Sequence, residues 1–158
     1  MSIQTTIFGL GLCLAAVGGF AVFAIAGSTK GVSILKPDNP EIVAEGSKVY
    51  SENCASCHGE NLEGQPNWKR PGPDGFAPAP PHDETGHTWH HTDDILFGVT
   101  KFGTAKLLKL ENFKSVMPVF ENTLSDAEII AALSYIKAQW PADIRENHDT
   151  MNAEKQPE

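Results

Sequence analysis

The hydrophobic pattern begins with one long apolar stretch. Residues 7–26 contain no charged side chain, and as a helix they would span about 30 Å, the thickness of a bilayer's hydrocarbon core. This length favours an uncleaved transmembrane anchor that comprises residues 1–27. A cleaved signal peptide is the alternative, because Ala24 and Ala26 form a small-x-small pattern just before Gly27. In both cases the segment would direct the rest of the chain across a membrane.

The pattern after the apolar stretch predicts a single domain. Residues 28–40 mix Gly, Ser, Pro and Asn and indicate a linker. Helical periodicity then extends through residues 41–145, which we assign to one all-α domain, and no strand pattern is long enough to build a sheet. Residues 146–158 are polar and predict a frayed tail. Residues 59–92 are proline-rich and aperiodic, a composition that suits a compact domain only if the loop wraps a ligand.

Three helices are predicted inside this domain. The first begins near Glu41, with apolar residues on one face, and runs directly into Cys54. The second begins after Thr92, a typical N-cap followed by two acidic residues. The third follows Ser125, which starts the Ser-x-x-Glu pattern of a capping box, and it ends before Pro141.

Charge and cysteine content exclude two classes of protein. The 20 acidic and 12 basic side chains give a formal net charge of -8, which disfavours binding to nucleic acid. Three cysteines do not form a disulfide framework. The basic side chains of the domain are concentrated in one stretch that either steers an acidic partner or forms a solvated face. This stretch contains Lys101, Lys106, Lys109 and Lys114.

The motif with specific chemistry is Cys-Ala-Ser-Cys-His at residues 54–58, the C-x-x-C-H pattern of covalent haem attachment. Cys54 and Cys57 are spaced to reach the two vinyl groups at one haem edge, and His58 then lies beneath the iron. A thioredoxin-like pair would need a βαβ context, and a zinc site would need a second pair of ligands. A structural disulfide would leave His58 without a role. The motif therefore predicts one covalent haem c with His58 as an axial iron ligand.

A haem that carries electrons needs a sixth ligand, and methionine raises its reduction potential. Of the three methionines, Met1 starts the apolar segment and Met151 lies in the polar tail. Met117 precedes Pro118 in a loop before the last predicted helix. Because a thioether is a soft ligand suited to this iron, Met117 is the predicted second ligand. A core methionine without an iron bond is the alternative.

These motifs in combination resemble class I mono-haem c-type cytochromes. The resemblance rests on Gly46-x-x-x-Tyr50 before Cys-Ala-Ser-Cys-His-Gly, on Met117-Pro-Val-Phe, and on the last predicted helix. It extends over residues 41–145. It implies an all-α fold in which the first and last helices cross beside one haem, with Gly46 and Tyr50 meeting the region of Tyr135.

The resemblance also implies a partner for the axial histidine. In this family a loop proline carbonyl accepts the Nδ1 proton of His58, which fixes the ring and raises its donor strength. Pro80 is the best match in this chain and Pro81 the second. The family usually has leucine two residues after this proline, where this chain has His82.

His82 also belongs to a group of histidines on the two sides of Trp89. One hypothesis is a second metal site for copper or zinc, since imidazole suits both metals. The other is a loop at the haem edge in which Trp89 and a histidine hydrogen-bond the haem propionates. The haem-edge loop is favoured over the metal site, because two of the histidines are adjacent and would point in different directions. The group consists of His82, His87, His90 and His91.

The combined prediction is a one-electron carrier between periplasmic or membrane-bound redox proteins. Residues 86–103 resemble a subgroup of membrane-anchored bacterial cytochromes, which implies the periplasmic side of the inner membrane with residues 7–26 as the anchor. No catalysis is expected, because a six-coordinate iron has no open position. The alternatives are a haem subunit of a larger oxidase or dehydrogenase, and a peroxidase or gas-binding protein with a displaceable Met117.

Overall fold

The computed structural model describes residues 33–111 and 113–154, and all regular structure in this part of the chain is helical. The α-helices are α1 (Pro40–Asn53), α2 (Ala55–His58), α3 (Asp93–Phe102), α4 (Thr104–Leu107), α5 (Asp126–Ala138) and α6 (Ala142–Glu154), with one 3-10 turn at Thr88–His90. The all-α prediction is confirmed for these residues. None of the helices in these ranges is long and apolar enough to cross a membrane. The predicted span at residues 7–26 lies outside the described residues.

Helices α1 and α5 pack closely across one another at the centre of the domain. Gly46 on α1 is buried so tightly that an added Cβ would overlap the carbonyl oxygen of Ala131 and lie 2.9 Å from Tyr135 Cβ. One turn further along α1, the rings of Tyr50 and Tyr135 lie with their centroids 5.4 Å apart. The crossing implied by Gly46-x-x-x-Tyr50 is therefore present, although α6 and not α5 is the last helix.

Local capping explains where α1 and α5 begin. The side-chain oxygen of Asn39 accepts hydrogen bonds from the backbone N–H groups of the first turn of α1, and Pro40 occupies the first helical position. At α5, Ser125 Oγ accepts from the N–H of Glu128, and the Glu128 carboxylate accepts in return from the N–H of Ser125. The predicted capping box is confirmed.

Helix α6 corrects two predictions. The prediction of a frayed tail is wrong for residues 146–154, which belong to α6 and bury His148 and Asn152. Helix α3 begins after Thr92 as predicted, but the Thr92 hydroxyl makes no capping hydrogen bond. Instead, Asn152 Oδ1 accepts from the N–H of Asp93 at 2.8 Å. The sequence pattern predicted that Thr92 would provide a hydrogen-bond acceptor at the start of α3, and Asn152 of α6 provides one instead.

A buried polar network joins α6 to the start of α3. His148 Nε2 donates to the carbonyl oxygen of His91 at 2.9 Å, and Asn152 Nδ2 lies 3.2 Å from His148 Nδ1. Ser33 Oγ donates to the buried Asp93 carboxylate at 2.6 Å. These contacts satisfy polar groups that would otherwise be costly to bury.

Part of the predicted linker packs on the domain through the same region. Leu35 is buried in the core, and the N–H of Lys36 donates to Ser134 Oγ on α5 at 2.9 Å. Asp38 forms an ion pair with Arg145 on α6. Residues 33–38 are therefore held by α3, α5 and α6 and do not form a free tether.

His148 leads to a prediction about stability and pH. Burial lowers the pKa of His148, Lys137 lowers it further, and Asp93, the His91 hydrogen bond and Asp149 oppose the shift. Because the folded-state pKa lies below the usual 6.5, the neutral ring stabilises the fold above that pH, and this contribution is lost as the pH falls below it. The free energy of unfolding, measured by urea titration, should therefore decrease from about pH 7.5 to about pH 5.5, with a contribution from His148 of at most about 1.4 kcal/mol per pH unit for one proton.

The matched control is His148→Gln, which has no titrating ring. Its free energy of unfolding should decrease less steeply over the same pH range than that of the unaltered protein. Parallel pH curves for the two proteins would contradict a contribution from His148.

Candidate functional site

The Cys-Ala-Ser-Cys-His motif lies at the junction of α1 and α2. Cys54 ends α1, where its N–H donates to the carbonyl oxygen of Tyr50, and α2 contains Cys57 and His58. The N–H groups of Cys57 and His58 donate to the Cys54 carbonyl oxygen at 3.1 and 2.9 Å. Both thiols are free, that of Cys54 being partly buried and that of Cys57 exposed. One helical turn thus presents two thiols and an imidazole together.

The environment of the two thiols disfavours the other roles of a C-x-x-C pair. Burial, followed by the charge of Cys57, raises the pKa of Cys54 to about 11. A nucleophilic redox cysteine needs a lowered pKa, so a thioredoxin-like pair is disfavoured. A zinc site is disfavoured as well, since no group of three or more His, Cys, Asp or Glu side chains in the described ranges could hold a metal ion.

His58 is oriented by the proline-rich loop. Its Nδ1 lies 2.8 Å from the carbonyl oxygen of Pro80, which is the contact that the resemblance implied for Pro80. Because a carbonyl oxygen only accepts, Nδ1 holds the proton and the Nε2 lone pair is left for a metal. Burial lowers the pKa of His58, and the hydrogen bond to Pro80 opposes this shift. The ring is therefore neutral near pH 7, as a metal ligand must be.

The turn after His58 brings the loop back onto α1. Gly59 has φ 85°, a left-handed conformation that side chains disfavour. Its carbonyl oxygen accepts from the Tyr50 hydroxyl at 2.7 Å, and the N–H of Gly64 donates to the His58 carbonyl oxygen at 2.7 Å. These bonds fix the backbone that follows the His58 side chain.

Met117 lies in the loop before α5, partly buried against the core. The segment from α4 to this loop leaves five large apolar side chains exposed. These side chains are Leu108, Leu110, Phe113, Val116 and Val119. That Met117 ligates iron stays a prediction.

One protein-family model matches a region that contains both the α1–α5 pair and the Cys-Ala-Ser-Cys-His motif. The family model described as Cytochrome c matches residues 43–140, from α1 to the end of the α5 region, and includes both residues 54–58 and Met117. The chain belongs to the cytochrome c family. Members of this family bind haem c covalently and use it to transfer electrons. Cys54 and Cys57 are present within the matched region and are consistent with the C-x-x-C-H motif of that attachment. No solved structure matches the chain at a significant level.

The residues present in this cytochrome fit a haem. Trp89 lies in the 3-10 turn, and its indole packs against the core and stacks on His90 with centroids 3.7 Å apart. Its Nε1 is buried without a hydrogen-bond partner among the described residues. An unpaired buried N–H costs free energy, and a haem propionate is an acceptor that would remove this cost. The propionate role predicted for Trp89 stays a prediction.

His82 makes a contact that sequence reasoning did not predict. Its ring stacks on that of His58 with centroids 4.0 Å apart and planes inclined by 19°. Its Nδ1 lies 2.8 Å from Thr88 Oγ1, and Trp140 Nε1 donates to its carbonyl oxygen at 2.7 Å. Burial, and then the neighbouring His58, lower the pKa of His82 well below its usual value. A neutral imidazole thus lies against the ring of His58.

The other three histidines of the group contact aromatic rings. His87 stacks on Trp68 with centroids 5.2 Å apart, and its edge meets the His91 ring at 5.3 Å, while His90 stacks on Trp89. The second metal site, for copper or zinc, would need a group of three or more ligating side chains. Residues 33–111 and 113–154 contain no such group.

Carboxylates partly neutralise the lysine stretch. Lys101 pairs with Asp126 at 2.5 Å, and Lys106 pairs with Glu121 at 3.2 Å. Both ion pairs reduce the positive field that this surface presents to a partner. Steering of an acidic partner by these lysines stays a prediction.

Proposed function

We propose that this cytochrome is a carrier of single electrons with one haem c, attached through Cys54 and Cys57 and ligated by His58 and Met117. The proposal rests chiefly on the hydrogen bond of 2.8 Å from His58 Nδ1 to Pro80, which leaves Nε2 for iron. The haem, when bound, supplies a one-electron iron couple. Membership of class I, the mono-haem group, is part of the proposal and is supported by the single C-x-x-C-H motif.

The residues of the chain hold, orient and shield that group. Two thioether bonds would keep the haem even where the surrounding shell is thin. Pro80 would raise the donor strength of His58 through its Nδ1 proton, and Met117 would favour the reduced iron. With both axial positions filled by side chains, no position is left for a substrate, so the proposed role is transfer without catalysis.

We also propose that residues 7–26 anchor the protein to the bacterial inner membrane, with the haem domain on the periplasmic side. The support is the length and uncharged composition of this segment. The partners would be redox proteins in the periplasm or in the same membrane. An anchor would hold the haem within reach of such partners, and the packing of residues 33–38 on the domain would shorten the tether.

The mass of the mature protein, measured together with a redox titration, tests this proposal. The mass after denaturation should exceed that of the polypeptide by one haem, and the titration should fit a single one-electron wave. The same mass reports whether the N-terminal segment has been cleaved.

The matched control replaces both cysteines, Cys54→Ala with Cys57→Ala, and should lose the covalent haem. A denatured protein without haem, or with a mass increment of two haems, would contradict the proposal.

A further inference from the structure

We propose that His82 is a positioning residue for the axial ligand: its ring lies flat on that of His58 and sets the rotation of this imidazole about its bond to the iron. The inference rests on the proposed function, in which His58 binds iron. It concerns the position where the family usually has leucine and this chain has an aromatic ring that hydrogen-bonds.

One hydrogen bond alone does not fix the plane of an imidazole. The contact of His58 Nδ1 with Pro80 at 2.8 Å holds one ring atom and leaves the ring free to rock about that contact. The His82 ring, with its centroid 4.0 Å away and its plane inclined by 19°, covers one face of His58. Because rocking would drive one edge of His58 into this flat surface, the stack restricts the remaining rotation.

His82 can act in this way because it is itself held firmly. Its N–H donates to the carbonyl oxygen of Leu62 at 2.7 Å, and its carbonyl oxygen accepts from Trp140 at 2.7 Å. On the side chain, Nδ1 pairs with Thr88 Oγ1 at 2.8 Å. Thr88 is buried at the start of the 3-10 turn. The ring is thus fixed at its backbone and at its edge.

A leucine in this place would lack both constraints. Its branched side chain has no flat face to match an imidazole and no atom that can bond to Thr88. Functional groups are held within about 10–20° of their working orientation only when neighbouring side chains are themselves locked. The orientation of an axial imidazole decides how its π orbital overlaps the iron orbitals, and a low-spin ferric spectrum reports this overlap.

The test compares three variants of the haem-loaded protein by the g values of the ferric electron paramagnetic resonance spectrum. His82→Leu should shift or broaden the g values, because it removes the stack. Thr88→Val should move them in the same direction by a smaller amount, because it frees the edge of the His82 ring. His82→Phe should stay close to the unaltered protein, because it retains a flat face against His58.

His90→Leu is the matched control, since His90 belongs to the same loop but stacks on Trp89. Its g values should not change. The proposal is overturned if His82→Leu leaves the spectrum unchanged, if His82→Phe shifts it as far as His82→Leu does, or if His90→Leu shifts it equally. If His82→Leu does not fold, the proposal is overturned if Thr88→Val leaves the g values unchanged or if His82→Phe shifts them at least as far as Thr88→Val does.

The two proposals fail in different ways. If the unaltered protein shows no low-spin ferric haem with nitrogen and sulfur ligands, the proposed ligation by His58 and Met117 is wrong before any variant is compared. If that signal is present and only the variants behave against expectation, the electron-carrier proposal stands and the role of His82 is rejected.

Discussion

Replacing Met117 by alanine is expected to open one axial position of the iron, so that the reduced protein binds carbon monoxide at neutral pH. Alanine has no donor atom, and we expect no other side chain to take the place of the thioether. Loss of the sulfur ligand should also lower the reduction potential by on the order of 0.1 V, within the range of about 0.8 V that axial ligands span. Absorbance under carbon monoxide and a redox titration measure both effects.

Met151→Ala is the matched control, because it removes a methionine from α6, outside the region that the cytochrome c model matches. It should bind no carbon monoxide and should keep its potential. Ready binding of carbon monoxide by the unaltered protein would contradict a firm Met117 bond and favour the gas-binding alternative. Unchanged iron ligation in Met117→Ala would show that Met117 is a core residue.

Gly46→Ala is expected to lower the free energy of unfolding by about 2 kcal/mol. The added methyl group would overlap the backbone carbonyl of Ala131, and because backbone cannot rotate away, α1 and α5 would have to separate. Such overpacking costs about 3 kcal/mol, and about 1 kcal/mol is regained because alanine favours a helix over glycine. A decrease in Tm of about 6–10 °C would follow for a domain of this size.

Gly98→Ala in α3 is the matched control, since Gly98 is also a buried glycine inside a helix. An added Cβ there would meet the tip of the Leu107 side chain at 2.8 Å, and this flexible tip can move aside. Its stability should therefore change by less than about 1 kcal/mol. Equal losses in the two variants would show that the α1–α5 crossing is not the cause.

The sequence by itself determined the features that depend on neighbouring residues. The capping box at Ser125 and the run of α1 into Cys54 depend on groups a few positions apart, and short-range hydrogen bonds are visible in the order of the residues. The same holds for the Cys-Ala-Ser-Cys-His motif, whose chemistry is set by spacing. The all-α class followed from periodicity, and the close approach of α1 and α5 from the family pattern that includes Gly46.

Only the tertiary structure decided the contacts between distant polar groups. The frayed-tail prediction failed because polar residues are ordinarily solvated, whereas His148 and Asn152 find buried partners at His91 and Asp93. Their spacing of four residues on one face of α6 was the available signal, but nothing in it names the partners.

Around His58, too, some contacts were predictable from the sequence and others depended on the tertiary structure. Sequence reasoning named His58 and Pro80, but it missed the stacking of the His82 ring on the ring of His58. It also missed the hydrogen bond from Trp140, 58 residues along the chain, that holds His82. A polar side chain is satisfied by whatever donor or acceptor folding brings near. The identity of that partner therefore depends on the packing of the loop against the segment between α5 and α6, which no local pattern contains.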